Sequence, residues 1–152
     1  MNMQKTNAKK CSCACGCEQE GLQSPADAVM AVAILAVSAD GKLDKREIND
    51  LESVLASSPL FDEVENAREY MGCIAAAIQG LGRPEILRTA AKLLSPSLRE
   101  TAYAWAVYMI SSDRKMVKPE HKFLSVLRKD FGLHGVLAGK INAVVPMLNR
   151  VK

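Results

Sequence analysis

At 152 residues the chain is long enough for one domain with a full core, or for a compact domain plus a tail. It is 49% apolar, 24% charged and only 5% aromatic, so Ala, Val, Leu, Ile and Met must fill the core, a mixture that suits close-packed helices. A net charge of +3 is too weak to argue for nucleic acid, and the longest apolar run, twelve residues from Ala28 to Ala39 with Ser38 inside, is too short to cross a bilayer.

Residues 1–23 differ in kind from the rest: they are polar, lack a helical apolar period and hold four of the five cysteines, which reads as a flexible tail. They carry lysines but no apolar stretch ahead of the cysteines, so neither a signal peptide nor a lipoprotein anchor is expected, and the expected location is the cytoplasm. Residues 24–152 then form the helical domain. Ser24-Pro25-Ala26-Asp27 supplies an N-cap, a first-turn proline and an acid, opening a helix to about Ala39 that is apolar nearly all round and therefore central.

Asp44-Lys45-Arg46-Glu47 has the form of a capping box, followed by Ile48, Leu51, Val54 and Leu55 on one face; Ser57-Ser58-Pro59 breaks that second helix. Asp62 and Glu65 are expected to cap a third, with Val64, Ala67, Met71, Ile74 and Ile78 on its face and Gly80 and Gly82 at its end. Pro84 opens a short fourth helix through Leu94. A fifth, nearly apolar, starts at Ser95-Pro96 and runs through Ala102, Trp105, Ala106 and Met109. Pro119 opens the sixth, with Phe123, Leu124 and Leu127 inward and Gly132 past its end, and residues 136–149 form a seventh that Pro146 disturbs. No run alternates apolar and polar residues as a strand would, so the expected fold is all-α, a compact bundle of about seven helices.

Two stretches match without gaps, 73 residues apart: Asp40 to Glu47, leading on to Leu51, and Asp113 to Glu120, leading on to Leu124. Each half has a buried helix, a loop that opens with Asp, a Glu seven residues later and an amphipathic helix. Duplication of a helix-loop-helix unit about a pseudo-twofold axis accounts for this. A tight loop would bring each Asp–Glu pair within reach of one ion. Carboxylate oxygens suit Ca²⁺ or Mg²⁺, and a mixed site also takes Mn²⁺ or Zn²⁺. The loop is too short for an EF-hand and lacks its ligand spacing. Helix capping is the competing account: it explains Asp44 and Glu47 well, but explains Asp40 poorly, because an acid at a helix C-terminus faces the negative end of the dipole.

The pattern Ala-Asp-Gly-x-Leu-x-x-x-Glu at the end of an apolar helix, with a second copy some seventy residues on, resembles the tellurite-resistance TerB-like family over about residues 24–134. The resemblance implies a fold of about seven helices and a divalent-cation site drawn from Asp40, Asp44 and Glu47 of the first loop and Asp113 and Glu120 of the second. It also implies a non-enzymatic role in tellurite and metal stress, with a protein partner in a membrane-associated complex. The second loop departs from the pattern. Arg114 stands where glycine is usual, and Val117 stands opposite Asp44; an Arg beside Asp113 competes with a metal for that carboxylate.

Cys11, Cys13, Cys15 and Cys17 place a thiol at every second residue, a spacing unlike paired zinc knuckles. In a reducing compartment such a segment either wraps a soft metal or metalloid or is simply redox-labile. Cys73 reads as core, His121 as exposed and His134 as loop, while Trp105, Tyr103 and Tyr108 read as packing. No Ser/His/Asp set, glycine-rich phosphate loop or nucleotide fingerprint occurs, so no catalytic residue is assigned. Charge is uneven: residues 39–69 hold nine acids against four bases, net −5, and residues 118–152 hold seven bases against two acids, net +5. The alternative function is accordingly an interaction scaffold whose acids only cap helices and whose basic C-terminal face meets a partner or an anionic membrane surface.

Overall fold

The first helix, α1 (Pro25–Val37), begins as its sequence dictates. Ser24 is the N-cap, its hydroxyl accepting from the Asp27 N–H at 3.2 Å, and Pro25 occupies the first turn, where its missing N–H costs nothing. Residues 27 to 36 are all buried, ten in succession, so α1 has no solvent face and must be covered on every side.

That covering comes from the elements that follow in this computed structural model, which describes the backbone of residues 21–38, 43–112 and 118–149, with the side chains of 112–121 left aside. They are α2 (Lys45–Ser57), α3 (Ala67–Leu81), α4 (Arg83–Leu93), α5 (Pro96–Ser112), α6 (Lys118–Asp130) and α7 (Gly135–Val144), with short 3-10 turns at Pro59–Phe61 and Val145–Asn149. The fold is all-α, and no strand occurs among the described residues. α1 packs against α2, α3, α4, α5 and α6, with its most extensive contact to α5; α7 and the last 3-10 turn lie on α5. The described chain starts at Gly21, and Leu22 already belongs to the core.

The repeat is visible in the helix bounds. Shifting α2 by 73 residues gives the bounds of α6 at both ends, and Leu51 maps onto Leu124 and Val54 onto Leu127, all four buried. The small residues Ala33 of α1 and Ala106 of α5, likewise 73 apart, are both fully buried, which lets helix axes approach closely.

Two expected boundaries shift for local reasons. The third helix starts at Ala67 rather than near Asp62, because Asn66 takes the N-cap, accepting from the Glu69 N–H at 2.9 Å. Ser58 caps the preceding 3-10 turn, and Phe61 of that turn is buried with its ring 6.1 Å from that of Tyr70. The seventh helix stops at Val144 and tightens into a 3-10 turn over Val145–Asn149, as Pro146 cannot continue the α ladder. Cys73 is half-buried rather than central in the core.

Long-range polar contacts fix how the helices sit. Asp27 accepts from the Tyr70 hydroxyl at 2.8 Å and from the Gln23 N–H at 2.9 Å, tying the head of α1 to α3. Arg99 of α5 donates through Nη2 to the Ala91 carbonyl at 2.6 Å and through Nη1 to the Phe131 carbonyl at 3.4 Å, setting a cation at the negative ends of α4 and α6. α6 closes in a Schellman motif: the Leu133 N–H bonds the Arg128 carbonyl at 3.0 Å and the Gly132 N–H bonds that of Lys129 at 3.1 Å, with Gly132 at φ 66°. Tyr103, 1% exposed, donates to Asn142 Oδ1 at 3.0 Å and so holds α7 on α5.

Replacing Ile34 by Ala at the centre of α1 is expected to lower stability by about 2–5 kcal/mol, read as a fall in the denaturant midpoint. Burial raises the Tyr103 phenol above the ordinary 10.0, opposed by the Asn142 hydrogen bond and the Arg128 charge. The unfolded phenol ionises first as pH climbs past 10.0, so this contribution is intact below that pH and is lost as pH rises through the folded value. Tyr103→Phe should cost about 1 kcal/mol at neutral pH and flatten the alkaline fall in Tm; an unchanged alkaline limb would contradict it.

Candidate divalent-metal site

The candidate site lies where α1 hands over to α2. α1 ends at Val37, and its C-cap Ser38 is 9% exposed and donates its N–H to the Ile34 carbonyl at 2.9 Å. α2 begins at Lys45 with Asp44 as N-cap. The handover between two helices is thus completed within a few residues, because α1 must end inside the core while α2 needs only one buried face, built on Leu51, Val54 and Leu55.

Asp44 and Glu47 meet at the head of α2. Asp44 Oδ1 accepts from the Glu47 N–H at 2.8 Å, and Glu47 Oε1 accepts from the Asp44 N–H at 2.9 Å, forming a reciprocal capping box. Asp44 is exposed and Glu47 half-buried, so the pair sits at the surface. The structure therefore brings together two of the five carboxylates expected to ligate metal, and gives each a capping role. Asp40, Asp113 and the Glu120 side chain lie outside the described residues, as do Cys11, Cys13, Cys15 and Cys17. Among the described residues no three His, Cys, Asp or Glu side chains group closely enough to hold a metal ion.

The other polar candidates take structural places. His134 is exposed at the N-cap position of α7 and makes no side-chain cap bond. Trp105 and Tyr108 are half-buried and stack edge to face, with centroids 5.4 Å apart. Asn149 was not singled out by sequence. Its amide donates to the Tyr108 carbonyl at 3.2 Å and to Ser111 Oγ at 2.8 Å, at the end of α5 that leads into the second acidic stretch. Its partners lie some forty residues away, beyond any helical period, so only the fold exposes the contact.

No protein-family model, curated protein or solved structure matches the chain. A functional reading therefore rests on the residues themselves.

In metal-free protein, Asp44→Ala should cost about 1 kcal/mol, seen as a lower Tm, because the Glu47 N–H loses its acceptor. Glu47→Gln should be nearly neutral there, since glutamine completes the same box. A large loss for Glu47→Gln without metal would mean that its charge has a structural role beyond the cap.

Proposed function

We propose that this chain is a non-enzymatic, divalent-metal-binding helical module of the TerB-like kind, serving a tellurite- or metal-stress response. The observation that supports it best is the meeting of Asp44 and Glu47 at one helix head, directly after the stretch that carries Asp40. Asp44 and Glu47 would each offer a carboxylate to a cation at this helix head, with Asp40 supplying the third ligand. Asp113 and Glu120 offer the same spacing 73 residues on, with Arg114 beside Asp113 weakening that half. Hard oxygen donors select Ca²⁺, Mg²⁺ or Mn²⁺, with Zn²⁺ also admitted by a mixed set.

The four thiols of the N-terminal stretch would take a softer ion or a metalloid, and their use as thiolates fits a reducing, cytoplasmic setting. No described helix is long and apolar enough to cross a membrane, so a link to a membrane-associated complex would run through a partner or a surface contact.

A second reading has its own support. The reciprocal cap accounts for Asp44 and Glu47 without any ion, which favours an interaction scaffold whose acids only start helices. That scaffold would show no metal-linked change in Tm, and its capture of a partner would be lost on charge reversal at Lys118, Lys122, Arg128 or Lys129.

Isothermal titration of Ca²⁺, Mn²⁺ and Zn²⁺ separates the two. The wild type should bind one of them, and Asp40→Asn/Glu47→Gln should weaken that binding at least about tenfold while folding normally, since the cap survives. At about a hundredfold excess over Kd the bound ion should add about 2.7 kcal/mol of stability to the wild type. Equal binding by both proteins, or by neither, would sink the site as drawn.

A further inference from the structure

The C-terminal segment, α7 and the 3-10 turn that continues it, packs Ala138, Ile141 and Val145 inward and leaves much of its other apolar surface in solvent. Only Ala138 of α7 is buried, whereas Val136 is 68% exposed, Val144 56%, Met147 46% and Leu148 73%. Val136, Lys140 and Val144 recur at intervals of four and therefore share one side of α7, opposite Ala138. Four exposed aliphatic side chains on one short segment are more than scattered surface apolar residues and suit an interaction surface.

This setting is held rather than accidental. Asn142 accepts from Tyr103 and Asn149 donates to the Tyr108 carbonyl and Ser111, so the polar side of the segment is pinned to α5 and its rotation is fixed with the apolar side out.

The charges indicate what covers that side. From Phe131 to Lys152 the chain has no Asp or Glu and three Lys or Arg. Lys140 lies in the exposed stripe, and Arg128 Nη1 lies 3.9 Å from where a Cβ on Gly135 would be, beside an α7 N-terminus that has no acid in its first turn. A second copy packed two-fold on the same face would oppose lysine to lysine with no acid on the segment to relieve it. A protein partner would need an acidic groove matched to this pattern of side chains. An anionic bilayer needs none: its headgroups meet the cations and its acyl boundary takes the aliphatic side chains.

We propose that the outward face of α7 and the turn after it, built on Val136, Lys140, Val144, Met147 and Leu148 with Arg128 at its head, docks on an anionic phospholipid surface. The contact is peripheral, shallow and salt-sensitive, and it does not depend on the metal-site reading.

Co-sedimentation of the full chain with vesicles tests this, with chelator present so that no divalent ion bridges acids to lipid. Vesicles containing about one-third phosphatidylserine should bring the protein down, vesicles of phosphatidylcholine alone should not, and about 0.5 M salt should release it. Lys140→Gln should lower the partition coefficient about fivefold, whereas Lys92→Gln, an exposed lysine on α4, should leave it unchanged. Val136→Asp/Leu148→Asp should abolish binding with Tm unaltered, because both side chains are already in solvent. Four results would overturn the proposal: no binding, equal binding to both vesicle types, equal effects of the two lysine changes, or self-association that Leu148→Asp removes while vesicles stay bare.

Discussion

Everything in this molecule follows from one helix that cannot touch water. Ten successive residues of α1, from Asp27 to Ala36, are buried, and a cylinder with no polar side is stable only when neighbours enclose it. Five helices do so, and each needs only a single apolar face to serve. The one acid at the margin of this run, Asp27, is kept there by the Tyr70 hydroxyl and the Gln23 N–H, which supply the hydrogen bonds that burial would otherwise deny it. Because α1 ends inside the core at Ser38 and α2 starts at Lys45, the first acidic motif falls between a buried helix and an amphipathic one.

How much of this could be read from the residues depends on the range of the interaction. The all-round apolarity of α1, the face of α2 on Leu51, Val54 and Leu55, and the Asp44–Glu47 box are matters of three or four residues, and spacing alone reveals them. The start of α3 was harder. Asp62 and Asn66 are both acceptable N-caps, and the choice of Asn66 goes with Phe61 being buried against Tyr70 in the preceding turn, a tertiary matter. Pairings such as Tyr103 with Asn142, or Arg99 with the ends of α4 and α6, join elements through space and leave no local mark. The candidate site divides the same way: the local half, Asp44 with Glu47, was readable, while convergence of distant carboxylates is decided by the fold and not by spacing.

The duplicated plan gives the same helix bounds two uses. α2 and α6 share length, offset and inward leucines, yet the first half is acidic and the second basic. Burial fixes the inward residues of both copies, so the outward ones are where the halves differ in kind: mainly carboxylates in one, mainly lysines and arginines in the other.

The last segment has a further consequence. Its hold on α5 combines side-chain amides and a phenol with the buried Ala138 and the half-buried Ile141 and Val145, whereas α1 is secured by apolar burial on all sides. The free energy needed to open the molecule is therefore graded from centre to margin. Fluctuations that open the molecule therefore begin at the C-terminal turns before they reach the centre.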